Sequence, residues 1–344
     1  MIELKKDSLV FSFPGVHPQA QLAVTFQRTL RIPDDDRSYP LPPGLGAFPL
    51  KHVDDYADRV PSQWIEHGGV MLPMYQSEAL WVNFKSQYID EHGTSYPFAI
   101  KIAAGKINAV TGKDWSNNLN QHPQDYLVAP EQPWLDGYCV EKGLIRQFVA
   151  MPLGDGYTAE EQITGKGEHG GLQVMVCPMK RDVFERLFPS RKVINHLEMD
   201  ACYDFQSLHA VLAEPQMGLA PGGKMRQEIY DDPFGFDSRD STERSRCFVH
   251  TTNSLVWRAI TNEAPPSVPL TSREYQRYGL PWFDYYDDHA VALEGSDTLK
   301  KLKSILQLAK LKGTKPLPEN ESVELEHITM LGPKRKHQVR EGCF

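Results

Sequence analysis

Cysteine is scarce: five residues in 344, at Cys139, Cys177, Cys202, Cys247 and Cys343, with no C-x-x-C pair among them. That spacing excludes a zinc ribbon and a redox dithiol, and it fits reduced, mostly buried thiols. Long apolar runs are missing as well. No stretch approaches the roughly 18 apolar residues of a spanning helix, and the mean hydropathy is −0.46. Asp7 and Ser8 interrupt the N-terminus before an apolar segment of signal-peptide length. These absences predict a soluble, cytoplasmic protein with no membrane span. Excess positive charge is absent too. Lys and Arg number 37 against 45 Asp and Glu, a net charge of −8. The one dense basic run, Lys334-Arg335-Lys336-His337, reads as a solvated tail, so nucleic acid is not an expected partner.

Several catalytic signatures are missing or broken. There is no H-E-x-x-H, H-x-H or G-x-S-x-G. His196, Glu198, Asp200 and Asp204 read as a hydrated acidic surface rather than a metal set. Gly218-Leu219-Ala220-Pro221-Gly222-Gly223-Lys224 satisfies the glycine spacing of a phosphate-binding loop. The position that needs a hydroxyl for magnesium holds Met225, and Asp231-Asp232-Pro233 would halt the helix such a loop must open. A glycine-rich surface loop without a nucleotide is the expectation there. No metal or cofactor is expected anywhere.

What the chain does have is punctuation. Its 25 Gly and 26 Pro favour turns and short elements. Leu9 to Phe13, Leu22 to Gln27, Val70 to Tyr75, Ala79 to Phe84, Phe98 to Ala103, Lys106 to Val110, Leu144 to Ala150, Leu172 to Val176 and Val323 to Leu331 read as strands. Asp136-Gly137 and Asp155-Gly156 read as hairpin turns. Helical spacing is confined to Arg181 to Phe188, Thr252 to Thr261, a capped start at Thr271-Ser272, and Asp297 to Leu311. The fold class predicted is α+β: β-rich, with mostly antiparallel sheets in the N-terminal half and helices added after about residue 180. The organisation predicted is a β-rich body over 1–180, with a mixed portion over 181–344 packed on it and not independent.

Two segments carry candidate chemistry. Trp282-Phe283-Asp284-Tyr285-Tyr286-Asp287-Asp288 places four aromatics and three aspartates in seven residues. Aromatic faces beside carboxylates suit sugar rings or cations, which makes Trp282, Asp284, Tyr285 and Asp287 candidate ligand contacts. The competing reading is an anchor whose aromatics fill the core while the aspartates face water. The second segment runs from Pro130 to Asp136. It offers Trp134 as a ligand contact and Glu131 and Asp136 as a candidate acid and base, the pair a glycosidase needs across a scissile bond.

Four long phrases, GGVMLPMYQSEALWVNF over 68–84, QDYLVAPEQPWLDG over 124–137, IRQFVAMPLGDGYTAEEQITG over 145–165 and GLPWFDYYDD over 279–288, together resemble an uncharacterised family of soluble bacterial and fungal proteins. That resemblance covers roughly residues 20–290. The family has no established activity, so it implies no catalytic residues. The function expected is that of a soluble binding or assembly protein without catalysis, taking a small molecule, a glycan or a protein, with homo-oligomers compatible. The alternative is a carboxylate-based hydrolase or carbohydrate-active protein using Glu131, Asp136 and the segment 282–288.

Overall fold

The computed structural model describes residues 1–190, 216–240, 242–285, 290–315, 320–325 and 327–331. Among these, seventeen strands join one large sheet. Its backbone is an antiparallel path. Ile2–Lys5 pairs with Ser8–Ser12, which pairs with Gln21–Thr29, then Ala79–Ser86 and Leu144–Pro152. The path continues through Gln216–Arg226, Ser245–Asn253, Leu172–Pro178 and Phe98–Ala104. Two parallel insertions join it: Val70–Met74 beside Ser245–Asn253, with Val70 opposite Val249, and Ser38–Tyr39 beside Gln216–Arg226. The fold is α+β and β-rich, and most of its helices follow residue 180.

Alternation explains the inner face. Leu22, Val24 and Phe26 are buried, and Ala23, Thr25 and Gln27 between them are half-buried. The sheet curls enough for its two ends to share one core. Phe13, just past the second strand, lies 6.0 Å from Phe98 on the strand at the far end of the path.

Four local expectations change. The glycine run 218–224 is not a loop: it lies inside the eleven-residue strand Gln216–Arg226, buried along most of its length. Its glycines serve close packing, since a Cβ on Gly223 would collide with the carbonyl oxygen of Pro33. Asp136-Gly137 is not a turn either. Gly137 opens the strand Gly137–Glu141 opposite Gln147, where a side chain would strike the Arg146 carbonyl. The hairpin turns instead at Lys142-Gly143, with Gly143 at φ 69°. The helix over 297–311 splits into Asp297–Lys300 and Ile305–Leu311. Ser304 starts the second piece, accepting from Gln307 N while Gln307 Oε1 accepts from Ser304 N, and this reciprocal cap outcompetes continuation. The final strand shrinks to Ile328–Leu331.

Where the ladder stops, glutamine side chains take over. The stretch 227–232 runs beside 124–136 without regular pairing. Gln124 accepts from Asp232 N and donates to Tyr230 O; Gln132 accepts from Tyr230 N and donates to Glu228 O. Gln227 accepts from Asp136 N. Each amide supplies the donor and acceptor of a missing backbone neighbour.

Trp282 belongs to the core. It is fully buried among Leu30, Ile32, Tyr39, Ile145 and Met225, and its indole donates to Gln276 Oε1 at 3.2 Å. Trp282→Ala is therefore expected to cost about 3–5 kcal/mol, read as a fall in the urea midpoint; an unchanged midpoint would place the ring outside the core. Gln132→Leu leaves the N–H of Tyr230 and the carbonyls of Glu228 and Trp134 without that amide. A loss of about 2–4 kcal/mol by chemical denaturation is expected, larger than the gain from burying a leucine.

Candidate functional site

The candidate site lies where the large sheet meets a small one. Trp282–Tyr285 and Ile328–Leu331 form a parallel two-stranded sheet. Leu41 bridges to its inner strand, donating to Phe283 O at 2.7 Å and accepting from Phe283 N at 2.9 Å. The arm after Leu41 is Pro42-Pro43-Gly44. Consecutive prolines hold it extended, and Thr29 Oγ1 pins it by donating to Pro43 O at 2.8 Å. Between this arm, the small sheet and the face of the large sheet lies a cleft of about 370 Å³.

Two tryptophans form the large-sheet wall. Trp81 sits opposite Gln27 in Ala79–Ser86, and Trp134 sits opposite Asn83. Their rings are 6.4 Å apart and nearly perpendicular, at 76°. Trp134 also meets Tyr285 edge-on, with centroids 5.0 Å apart. Phe283 and Leu331 close the opposite side.

Asp136 lines the same cleft and is 3% exposed. Its backbone N–H donates to Gln227 Oε1 at 3.0 Å, and its Oδ2 accepts from Gln227 Nε2 at 2.9 Å. Burial pushes its carboxyl up to about 7; the donors Gln227 and Trp134 pull the other way without cancelling that cost. A buried carboxyl raised in this way beside an apolar cleft makes the cleft a candidate site.

The structure thus brings Trp134 and Asp136 into one cleft with Phe283, and Tyr285 packs on Trp134. Trp282, on the same strand, faces the core. Asp284 is half-buried and pairs with Arg226, whose Nε and Nη2 donate to its two oxygens at 3.1 and 2.8 Å. Asp287 lies outside the described residues, as do Cys202, Cys343, the 196–204 acidic group and the 334–337 basic run. Glu131 does not join the cleft. Its surroundings are Arg239 and Asp232, themselves joined by Arg239 Nη2 to Asp232 Oδ1 at 2.5 Å. Burial pushes the Glu131 carboxyl up to about 7 as well, against the pull of Arg239. Glu131 is not among the residues that line the cleft holding Asp136.

Trp81, the proline arm and Gln227 were not among the sequence candidates. Trp81 did carry a signal. In ALWVNF the buried parity belongs to Leu80, Val82 and Phe84, so a tryptophan on the other parity presents its ring outward. A larger cleft of about 780 Å³ lies between residues 110–126, 231–236 and 291–298. Its buried polar groups are satisfied internally: Gln124 bonds backbone on both sides, and Asp232 is held by Tyr126 and Arg239.

Cys139, Cys177 and Cys247 are buried thiols pushed up to about 12 by burial. Among the described residues no cluster of His, Cys, Asp and Glu is arranged to hold a metal ion, and no helix is long and apolar enough to cross a membrane. No protein-family model, curated protein or solved structure matches the chain.

Asp136 gives a pH test. Its carboxyl is raised in the folded state to about 7 from 3.8, so the folded chain holds a proton that the unfolded chain releases. Stability from this group is present below about pH 4 and is lost as pH rises to 7. Asp136→Asn keeps the shape and removes the titration. Relative to wild type, the variant is expected to gain about 2–3 kcal/mol between pH 5 and pH 8 in thermal melts. A pH-independent difference would show that the carboxyl is not held protonated.

Proposed function

We propose that the chain is a soluble, cytoplasmic binding protein, and that its cleft takes a small organic cation of the alkylammonium type. One observation carries this reading: among the described residues lining the cleft, Asp136 is the only one whose side chain accepts hydrogen bonds, and it sits among Trp81, Trp134 and Phe283. Aromatic faces attract cations through the negative charge over the ring, most strongly when water is excluded. A buried carboxylate adds the counter-charge, and the attraction is larger than it would be in water. A sugar would need several acceptors as well as donors around its hydroxyls, and the described lining offers one acceptor side chain, Asp136. Hydrolysis by two carboxylates is not supported, because Glu131 stands outside the cleft that holds Asp136.

The reading fixes a pH dependence. The cation prefers ionised Asp136, so below pH 7 binding must first expel a proton. Tetramethylammonium is expected to quench tryptophan fluorescence with an affinity about a hundredfold weaker at pH 5 than at pH 8. Trp134→Ala and Asp136→Asn should each abolish the response. No binding at pH 8, or binding of cellobiose in place of the cation, would overturn the proposal. Recovery of the protein only in a carbonate-resistant membrane fraction would overturn its soluble placement.

A further inference from the structure

The cation-binding reading places an alkylammonium in the cleft; the neighbouring strand indicates what molecule carries it. Ile328–Leu331 pairs with Trp282–Tyr285 on one side. On the other side no described strand pairs with it. Trp282 N–H donates to His327 O across the parallel pair. By the alternation of a parallel ladder, the N–H and C=O of Ile328 and Met330 then point away from that partner, toward the open edge. Both residues are exposed, at 47% and 66%.

Open edges are ordinarily guarded by charge, proline, a bulge or a covering element. Ile328-Thr329-Met330-Leu331 contains neither charge nor proline, and its register with 282–285 is unbroken. The edge also leads somewhere. Leu331, its last residue, is itself a wall of the cleft. A strand added along 328–331 would therefore bring one of its side chains to the mouth between Leu331 and Phe283.

The cleft selects among cationic side chains. A free lysine ammonium carries three N–H donors, and among the described lining residues Asp136 is the only acceptor side chain. Two indoles and a phenyl ring satisfy none of those donors as well as water does. A trimethylated ammonium has no N–H to satisfy, sheds its water at lower cost, and presents methyl groups to the rings. The four-carbon stem of lysine suits the apolar rim of Leu41, Pro42, Phe283 and Leu331.

We infer that the occupant is an extended segment of another protein bearing a methylated lysine, its main chain added as a strand along Ile328–Leu331 and its alkylammonium seated between Trp81, Trp134 and Asp136. In this mode backbone hydrogen bonds supply affinity and the side-chain pocket supplies specificity. The inference rests on the cation-binding reading, and its test separates the two.

The probes are tetramethylammonium and a fluorescein-labelled octapeptide of alternating threonine and valine with one central lysine, prepared unmodified and trimethylated. At pH 8 the trimethylated peptide should bind at least tenfold more tightly than either tetramethylammonium or the unmodified peptide. In the wild-type protein the amides of Ile328 and Met330 should exchange at least tenfold more slowly with the peptide bound. Met330→Pro, which removes an outward N–H, should weaken the peptide at least fivefold and leave tetramethylammonium binding unchanged. The exchange measurement decides the matter if that variant folds poorly. If the trimethylated peptide binds no more tightly than tetramethylammonium, or leaves those two amides unprotected, the peptide inference fails and the cation reading stands. If neither probe binds, both fail.

Discussion

Buried glutamine amides hold this structure together at the places where the sheet cannot. A segment leaving a β-ladder carries N–H and C=O groups that need partners once water is gone. A glutamine side chain has one donor end and one acceptor end, so it can act as one residue's worth of backbone. Gln124, Gln132 and Gln227 do this between 124–136 and 227–232. Gln147 does it for the stretch 30–32, accepting from Ile32 N and donating to Leu30 O. Their reach lets two chain segments lie further apart than strands do. The floor of the cleft depends on this, because Gln227 clamps both the backbone and the carboxyl of Asp136.

That clamp costs stability at neutral pH. A carboxyl surrounded by tryptophan, proline and leucine has lost most of its hydration, and two donors restore only part of it. An asparagine could make similar hydrogen bonds without the ionisation penalty. A buried carboxyl that is expensive to keep and lines a cleft is more readily explained by what it meets there than by the fold. The same reasoning does not extend to Glu160 and Glu161. Glu160 Oε2 accepts from the backbone N–H groups of Gly170 and His169 while its Oε1 meets His169 Nδ1, and the Glu161 oxygens accept from the N–H groups of Gly154, Gly156 and Thr158, so both serve as turn fasteners.

The β-rich body was legible because burial imposes a period of two, and strands such as Gln21–Thr29 and Ala79–Ser86 follow it. The glycine-rich stretch at 218–224 was misread because glycine marks two opposite things, a turn or a close approach of backbones. Only the facing chain, here Pro33 and the 144–152 strand, decides between them. The helix break at 301–304 left its mark in the Ser304-x-x-Gln307 pair, but an uninterrupted apolar face across Leu299, Leu302 and Ile305 outweighed it. In the site, Trp134, Asp136 and Tyr285 were nameable from local composition. That Asp136 would line a cleft with Trp134, and that Glu131 five residues earlier would not, depends on how a turn of chain is held by amides roughly a hundred residues away.

The interleaving of the sheet has a consequence for how the chain emerges during synthesis. Leu172–Pro178 is flanked by Phe98–Ala104 on one side and Ser245–Asn253 on the other, and Val70–Met74 also rests on Ser245–Asn253. Until residue 253 has left the ribosome, the strands made earlier lack central neighbours and present open apolar edges. Contacts this distant in sequence form slowly, because the entropy of closing the intervening loops is lost before they are rewarded. Translation at about 5–20 residues per second would hold those edges open for several seconds or more. The order in which the strands emerge thus leaves the middle of the sheet to be completed last, when Ser245–Asn253 arrives between partners made long before it.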